Sequence, residues 1–208
     1  AGVTLTFKEG GQLDVAVTEN RLTRVHGDFP YECNVAAQGS VPAFNLQGSL
    51  NGDYSDETKK FSGALTGQLQ NNVVIPVNSD SITVKSGSRF TATVANSVPE
   101  TFTVAFDCDY TRAGTLFCQG HVETATYNFR TGAFDFIADL TLKTKIEKQT
   151  DDGKWKFVVN ENTQVGVKVE RSELKLITGS IDFGIHDAAG ELFHGQLTNA
   201  TVDVQRLK

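Results

Sequence analysis

Apolar and polar residues alternate along most of the chain, as in Val3-Thr4-Leu5-Thr6-Phe7, Phe102-Thr103-Val104-Ala105-Phe106 and Val165-Gly166-Val167-Lys168-Val169. A period of two sends every second side chain to the same face of an extended strand, so each segment reads as a strand with one buried and one wet face. Short turns closed by glycine recur between them, and glycine accepts the positive φ that such turns need. Arg112-Ala113-Gly114, Asp151-Asp152-Gly153 and Ala188-Ala189-Gly190 are read as three-residue hairpin loops. A loop at Thr131-Gly132 is expected to set Phe129 opposite Phe134 and Tyr127 opposite Phe136, and a further turn is expected between Tyr54 and Phe61. The best helical signal, Glu170 to Lys175, is long enough only for a turn of helix.

The pattern predicts an all-β protein, an antiparallel β-sandwich or β-barrel built of consecutive hairpins in one or two lobes. Residues 1–208 are read as a single all-β domain, with the irregular stretch 76–88 as the seam between lobes. Gly48-Ser49-Leu50 through Leu65 and Gly179-Ser180-Ile181 through Leu197 echo each other, which suggests two similar hairpin modules. The echo lacks the fixed period of a solenoid or propeller.

Composition narrows the classes of partner. An apolar share of 39% with fourteen Phe is enough to fold without help. Net charge is −6 and no run of Lys or Arg exceeds two, so the basic surface that nucleic acid requires is missing. No apolar stretch approaches the roughly 20 residues of a membrane-crossing helix. The chain contains no Met and opens Ala1-Gly2-Val3, the small-residue start left when a signal peptide is removed, so a secreted, periplasmic or cell-surface location is expected.

The cysteines bear on the same question. A three-residue loop at Arg112-Ala113-Gly114 sets Cys108 opposite Cys118, on the face that carries Phe106, Tyr110 and Leu116, and a cross-strand disulfide is the expectation. The competing reading is a pair of reduced core cysteines, and Cys33 is left as either a buried thiol or a replacement for one member of the pair. No Cys-x-x-Cys occurs to suggest structural zinc.

Candidate chemistry is sparse. Pairing Asp187 with Glu191 places His186 and His194 as diagonal neighbours on one face, with Asp182 farther along it, a weak candidate for a transition-metal site against the alternative of two solvated histidines. The acidic tip Asp53-Tyr54-Ser55-Asp56-Glu57 lacks the ordered spacing of a calcium loop. Asn199-Ala200-Thr201 is a glycosylation tripeptide, relevant to a eukaryotic secretory route. There is no nucleophile elbow, phosphate-binding glycine loop or His-Glu-x-x-His, and no cofactor is expected.

Two short stretches resemble known families. Arg171-Ser172-Glu173-Leu174-Lys175 resembles the Arg-Ser-Glu-Leu-Arg strand of jelly-roll alginate lyases, with Ile185-His186 similar to their Gln-Ile-His element. It ends in Lys where that family has Arg, and the family's Tyr-Lys-x-Gly-x-Tyr strand has no counterpart here. From Gly179 to Leu197 the chain is similar to the closing hairpin of β-barrels in transferrin-binding surface lipoproteins, which implies an envelope binding protein.

The reading that follows is a secreted or cell-envelope binding or adhesion module, not an enzyme, presenting a β-sheet or loop surface to a protein or glycan partner. Tyr31, Tyr54, Tyr127 and Trp155 are its candidate binding aromatics. A jelly-roll carbohydrate-active enzyme and a β-barrel carrier of a small apolar ligand are the alternatives.

Overall fold

Hairpins laid side by side build one open antiparallel sheet. The computed structural model, which describes residues 2–203, holds sixteen strands and, among those residues, no helix. In chain order they are β1 (Val3–Phe7), β2 (Gln12–Thr18), β3 (Arg21–Val35), β4 (Phe44–Ser55), β5 (Lys60–Leu69), β6 (Val73–Val77), β7 (Asp80–Val84) and β8 (Arg89–Ala95). There follow β9 (Val98–Arg112), β10 (Thr115–Asn128), β11 (Phe134–Leu142), β12 (Ile146–Gln149), β13 (Lys156–Val159), β14 (Gln164–Glu170), β15 (Glu173–Asp187) and β16 (Gly190–Asp203).

The main path runs β3-β4-β5-β8-β9-β10-β11-β14-β15. β1 and β2 lie end to end along the free side of β3, against residues 31–35 and 21–28 respectively. The β6–β7 hairpin extends the row of β8 along β9, and the β12–β13 hairpin extends the row of β14 along β15. β16 covers the far side of β15. β1/β2 and β16 are the outermost strands of the sheet, β6 and β12 are likewise paired on one side only, and the sheet is not closed into a barrel. The stretch 76–88 holds part of the β6–β7 hairpin and its exit, and the sheet runs on through it.

Residues paired across antiparallel strands share a face, so register decides what each face is made of. One row passes Phe7, Tyr31, Gly48, Gly67, Phe90, Val104, Ala125, Phe136, Val169 and Leu174. Its neighbour passes Phe29, Leu50, Leu65, Ala92, Phe102, Tyr127 and Phe134. The opposite face carries rows such as Glu32, Gln47, Gln68 and Arg89, or Asp107, His121 and Asp139. The period of two in the sequence has become one apolar and one polar surface spanning the whole sheet.

Glycine in the apolar rows makes space for aromatic rings. The Phe61 ring packs over Gly52 and Gly63, and the Phe90 ring over Gly67. Gly48 has no room at all, because a β-carbon there would stand 2.7 Å from the Thr66 carbonyl carbon and 2.8 Å from Gly67 Cα. Val122, Ala125 and Ala138 form the most buried cluster, with Val104, Phe106 and Phe136 packed against it. The N-terminal rim of the apolar face stands open by contrast, with Leu5 51% and Phe7 54% exposed.

Several local expectations are corrected. Arg112 pairs with Thr115, so the loop is the two-residue Ala113-Gly114, both at positive φ (46° and 82°) as a primed hairpin turn requires. Asp187 likewise pairs with Gly190 instead of Glu191, leaving Ala188-Ala189 as the loop. The Asp151-Asp152-Gly153 turn is wider than expected, since the strands close at Gln149 and Lys156. Tyr127 faces Phe134 and Ala125 faces Phe136, while Phe129 leaves the ladder and stacks edge-on against Tyr127 at 5.1 Å. Glu170 to Lys175 is no helical turn: Glu170 pairs with Glu173 across Arg171 and Ser172, both at positive φ. The turn between Tyr54 and Phe61 stands as expected, with those two residues paired.

Candidate functional site

The apolar face dips where two strands share one place in the sheet. β7 ends at Val84 and β8 begins at Arg89, both along the same side of β9, and residues 85–88 connect them. Four backbone hydrogen bonds hold that connection: Lys85 N–H donates to Asp107 O, Gly87 N–H to Leu69 O, Leu69 N–H to Ser88 O, and Ser88 N–H to Lys85 O. Gly87 adopts φ +90°, a conformation that side-chain-bearing residues resist. The break leaves a cleft of about 410 Å³ on the apolar face.

Phe44 and Leu46 of β4, Leu69 of β5, Val84 of β7, Phe90 of β8, and Phe102, Val104 and Phe106 of β9 line it, with Ser88 and Arg89 at its margin, Arg89 belonging by register to the polar face. Phe90 and Phe102 meet at 6.0 Å between ring centres, tilted 32°, a geometry in the range aromatic pairs favour. Among the described residues Arg89 is the only titratable one in the lining. A cavity with such a wall offers almost nothing to a polar ligand, whose desolvation would go uncompensated, and favours an apolar one through removal of hydrocarbon surface from water.

The aromatics singled out from the sequence do not gather. Tyr31 is 4% exposed and its hydroxyl donates to Thr66 O at 2.8 Å, with burial raising its pKa. Tyr54 lines a separate small apolar cleft with Leu13, Val25, Phe29, Leu50 and Phe61. Tyr127 stands exposed on β10, and Trp155 is exposed in the loop before β13.

The cysteines are free thiols. The two-residue turn and a bulge between Leu116 and Cys118 shift the register, so that Cys118 faces Tyr110 and Cys108 faces Gly120. Cys108 and Cys118 remain on adjacent strands and one face, but diagonally, which corrects the expected directly opposed disulfide pair. Burial pushes both thiols up in pKa.

Asp182, His186 and His194 share the polar face of β15 and β16, with His194 opposite Gly184 as expected and His186 opposite Glu191 instead of Leu192. His194 Nδ1 meets Glu191 Oε1 at 3.1 Å and its Nε2 lies 3.5 Å from Asp182 Oδ1, while Asn160 donates to that same carboxylate oxygen. Among the described residues no group of His, Cys, Asp and Glu is gathered to hold a metal ion. The acidic tip at Asp53 is tied down by Arg24 and His26.

Of the cleft, only Phe102, Val104 and Phe106 lie in a segment whose alternation was singled out in the sequence. Phe44, Leu46, Leu69, Val84 and Phe90 belong to other strands, and their convergence depends on the break at 85–88, for which Gly87 is the one local signal. The chain matches no protein-family model, no curated protein and no solved structure.

Proposed function

We propose that this chain is a non-enzymatic binding protein whose ligand is a small apolar molecule, or the apolar part of a larger one, held in the cleft between β4, β5, β7, β8 and β9. The observation that carries the proposal is the cleft itself, about 410 Å³ and walled by eight apolar side chains. That volume falls within the roughly 300–1,000 Å³ of small-molecule sites, which are mostly apolar and largely formed before the ligand arrives. Of the three readings open to the sequence, the carrier of an apolar ligand is the one this geometry favours. The open sheet makes it a cleft carrier and not a closed barrel. A secreted or envelope location belongs to the same proposal, because an apolar molecule crossing an aqueous space needs a carrier there.

A fluorescence titration with an apolar naphthylamine probe tests it. The probe brightens on leaving water, and saturation at one equivalent with loss of the signal in a cleft-filling Val84→Trp variant is the expected result. No saturable signal in the folded wild-type protein contradicts the proposal.

A further inference from the structure

On the opposite, polar face a second depression of about 210 Å³ lies across β11, β14, β15 and β16. Gly166 forms its floor. Register places Asp139 on one side of Gly166 and Thr178 on the other, and Thr201 beyond Thr178. The Asp139 carboxylate and the Thr178 hydroxyl both lean over the glycine, with Asp139 Oδ1 2.7 Å from the point a β-carbon would occupy. Gln164, Ser180 and Asn199 form the second rank of the wall. A register shift between Gly179 and Ile181 and a φ of +53° at Asn199 mark a bulge, a device that re-aims side chains.

The carboxylates of β9, two strands away from β11, are spent. Asp107 accepts from His121, and Asp109 holds Lys85 and Gln119. Asp139 has no hydrogen-bond or salt-bridge partner among the described residues, and neither do the side chains of Gln164, Thr178 and Thr201. Ser180 Oγ accepts from Asn199 N–H and keeps its own proton to donate. The groove thus presents a charged acceptor, hydroxyls that both donate and accept, and two side-chain amides at close quarters.

We infer that this groove is a binding site for a hydroxylated ring, the pyranose of a saccharide being the class that fits. A carboxylate accepts from two adjacent hydroxyls at once, charge-assisted bonds are the strong ones, and the amides supply donors and acceptors to the remaining hydroxyls. The volume, below that of drug-sized sites, suits one ring. The inference is independent of the apolar cleft, which lies on the other face.

The test is two-dimensional NMR of the full chain titrated with the methyl pyranosides of glucose, galactose and mannose. Saturable shifts of the Gln164 and Asn199 side-chain amides and the Gly166 N–H with at least one glycoside are expected, weakened at least tenfold in Asp139→Ala. Gly166→Ala, which crowds the floor, is expected to abolish them, with unchanged dispersion elsewhere showing that the fold survives. Absence of shifts with all three glycosides, shifts that Asp139→Ala leaves unaltered, or a response to calcium chloride alone overturns the inference.

Discussion

Cys108 Sγ lies over Gly120, 2.9 Å from where a β-carbon would stand, and so occupies the space that a side chain on the facing strand would fill. The pairing follows from the two-residue turn at Ala113-Gly114 together with the bulge before Cys118. Leu140 closes on the same point from the other side, its Cδ2 3.2 Å away.

The thiols are therefore expected to be free and slow. Burial raises the pKa of Cys108 and Cys118, so less thiolate is present at neutral pH than the ordinary value of about 8.5 gives, and thiolate is the reactive form. Alkylation of the native protein is expected to lag behind a model peptide at pH 7 and to accelerate as pH rises. Peptide mapping that finds Cys108 joined to Cys118 contradicts the register.

Around the Thr66 carbonyl two substitutions are expected to differ in cost. Tyr31→Phe removes one buried hydrogen bond, worth about 1 kcal/mol. Gly48→Ala drives a methyl into the backbone of β5, where nothing flexible can give, and about 3 kcal/mol is expected. Equilibrium urea unfolding measures both, and a Gly48→Ala variant as stable as Tyr31→Phe contradicts the pairing of β4 with β5.

The Tyr110 hydroxyl donates to Asp80, whose carboxylate also accepts from Ala113 N–H. The Tyr110 bond is the chief reason the Asp80 carboxyl titrates below its usual range, and the same bond raises Tyr110. A carboxyl depressed in the folded state contributes stability above its unfolded pKa of about 3.9, and that contribution is lost as pH falls through the lower folded value. A phenol raised in the folded state contributes below about pH 10 and loses the contribution as pH climbs through its folded value. Tyr110→Phe is expected to flatten both limbs of the stability profile, measured by thermal unfolding across pH. An unchanged acid limb contradicts the assignment to Asp80.

The period of two carried the fold a long way. Alternation in segments such as Phe102 to Phe106 made the all-β, hairpin-built class legible, and the turn expected between Tyr54 and Phe61 falls within that window, closing at Ser55 and Lys60. Registers near Cys118 and Leu192 were not legible, because a bulge inserts a residue without altering the local polarity pattern. The cleft was half legible: Phe102, Val104 and Phe106 announce an apolar face, but the depression needs β7 and β8 to share one side of β9, a long-range arrangement that no local spacing encodes. Asp139 and Thr178 were missed for the same reason, since their approach runs through Gly166 on a third strand.

Affinity for an apolar ligand is expected to respond little to pH or salt. Among the described residues no Asp, Glu, His, Cys or Lys lines the cleft, and Arg89 is its one ionisable residue. Probe titrations between about pH 6 and 8, and across ionic strengths at which surface charges become screened, are expected to give superimposable curves. A steep fall with salt points to an electrostatic site elsewhere.

Amide shift mapping of the isotope-labelled chain with dodecanol tests the cleft most directly. The result expected is saturable perturbation centred on residues 44, 46, 69, 84, 90 and 102–106, with the polar-face residues Asp139, Gly166 and Thr178 unmoved. Perturbation spread along the exposed N-terminal rim at Leu5 and Phe7, or none in the cleft at saturating ligand, would show that this apolar face does not hold its ligand between β4 and β9.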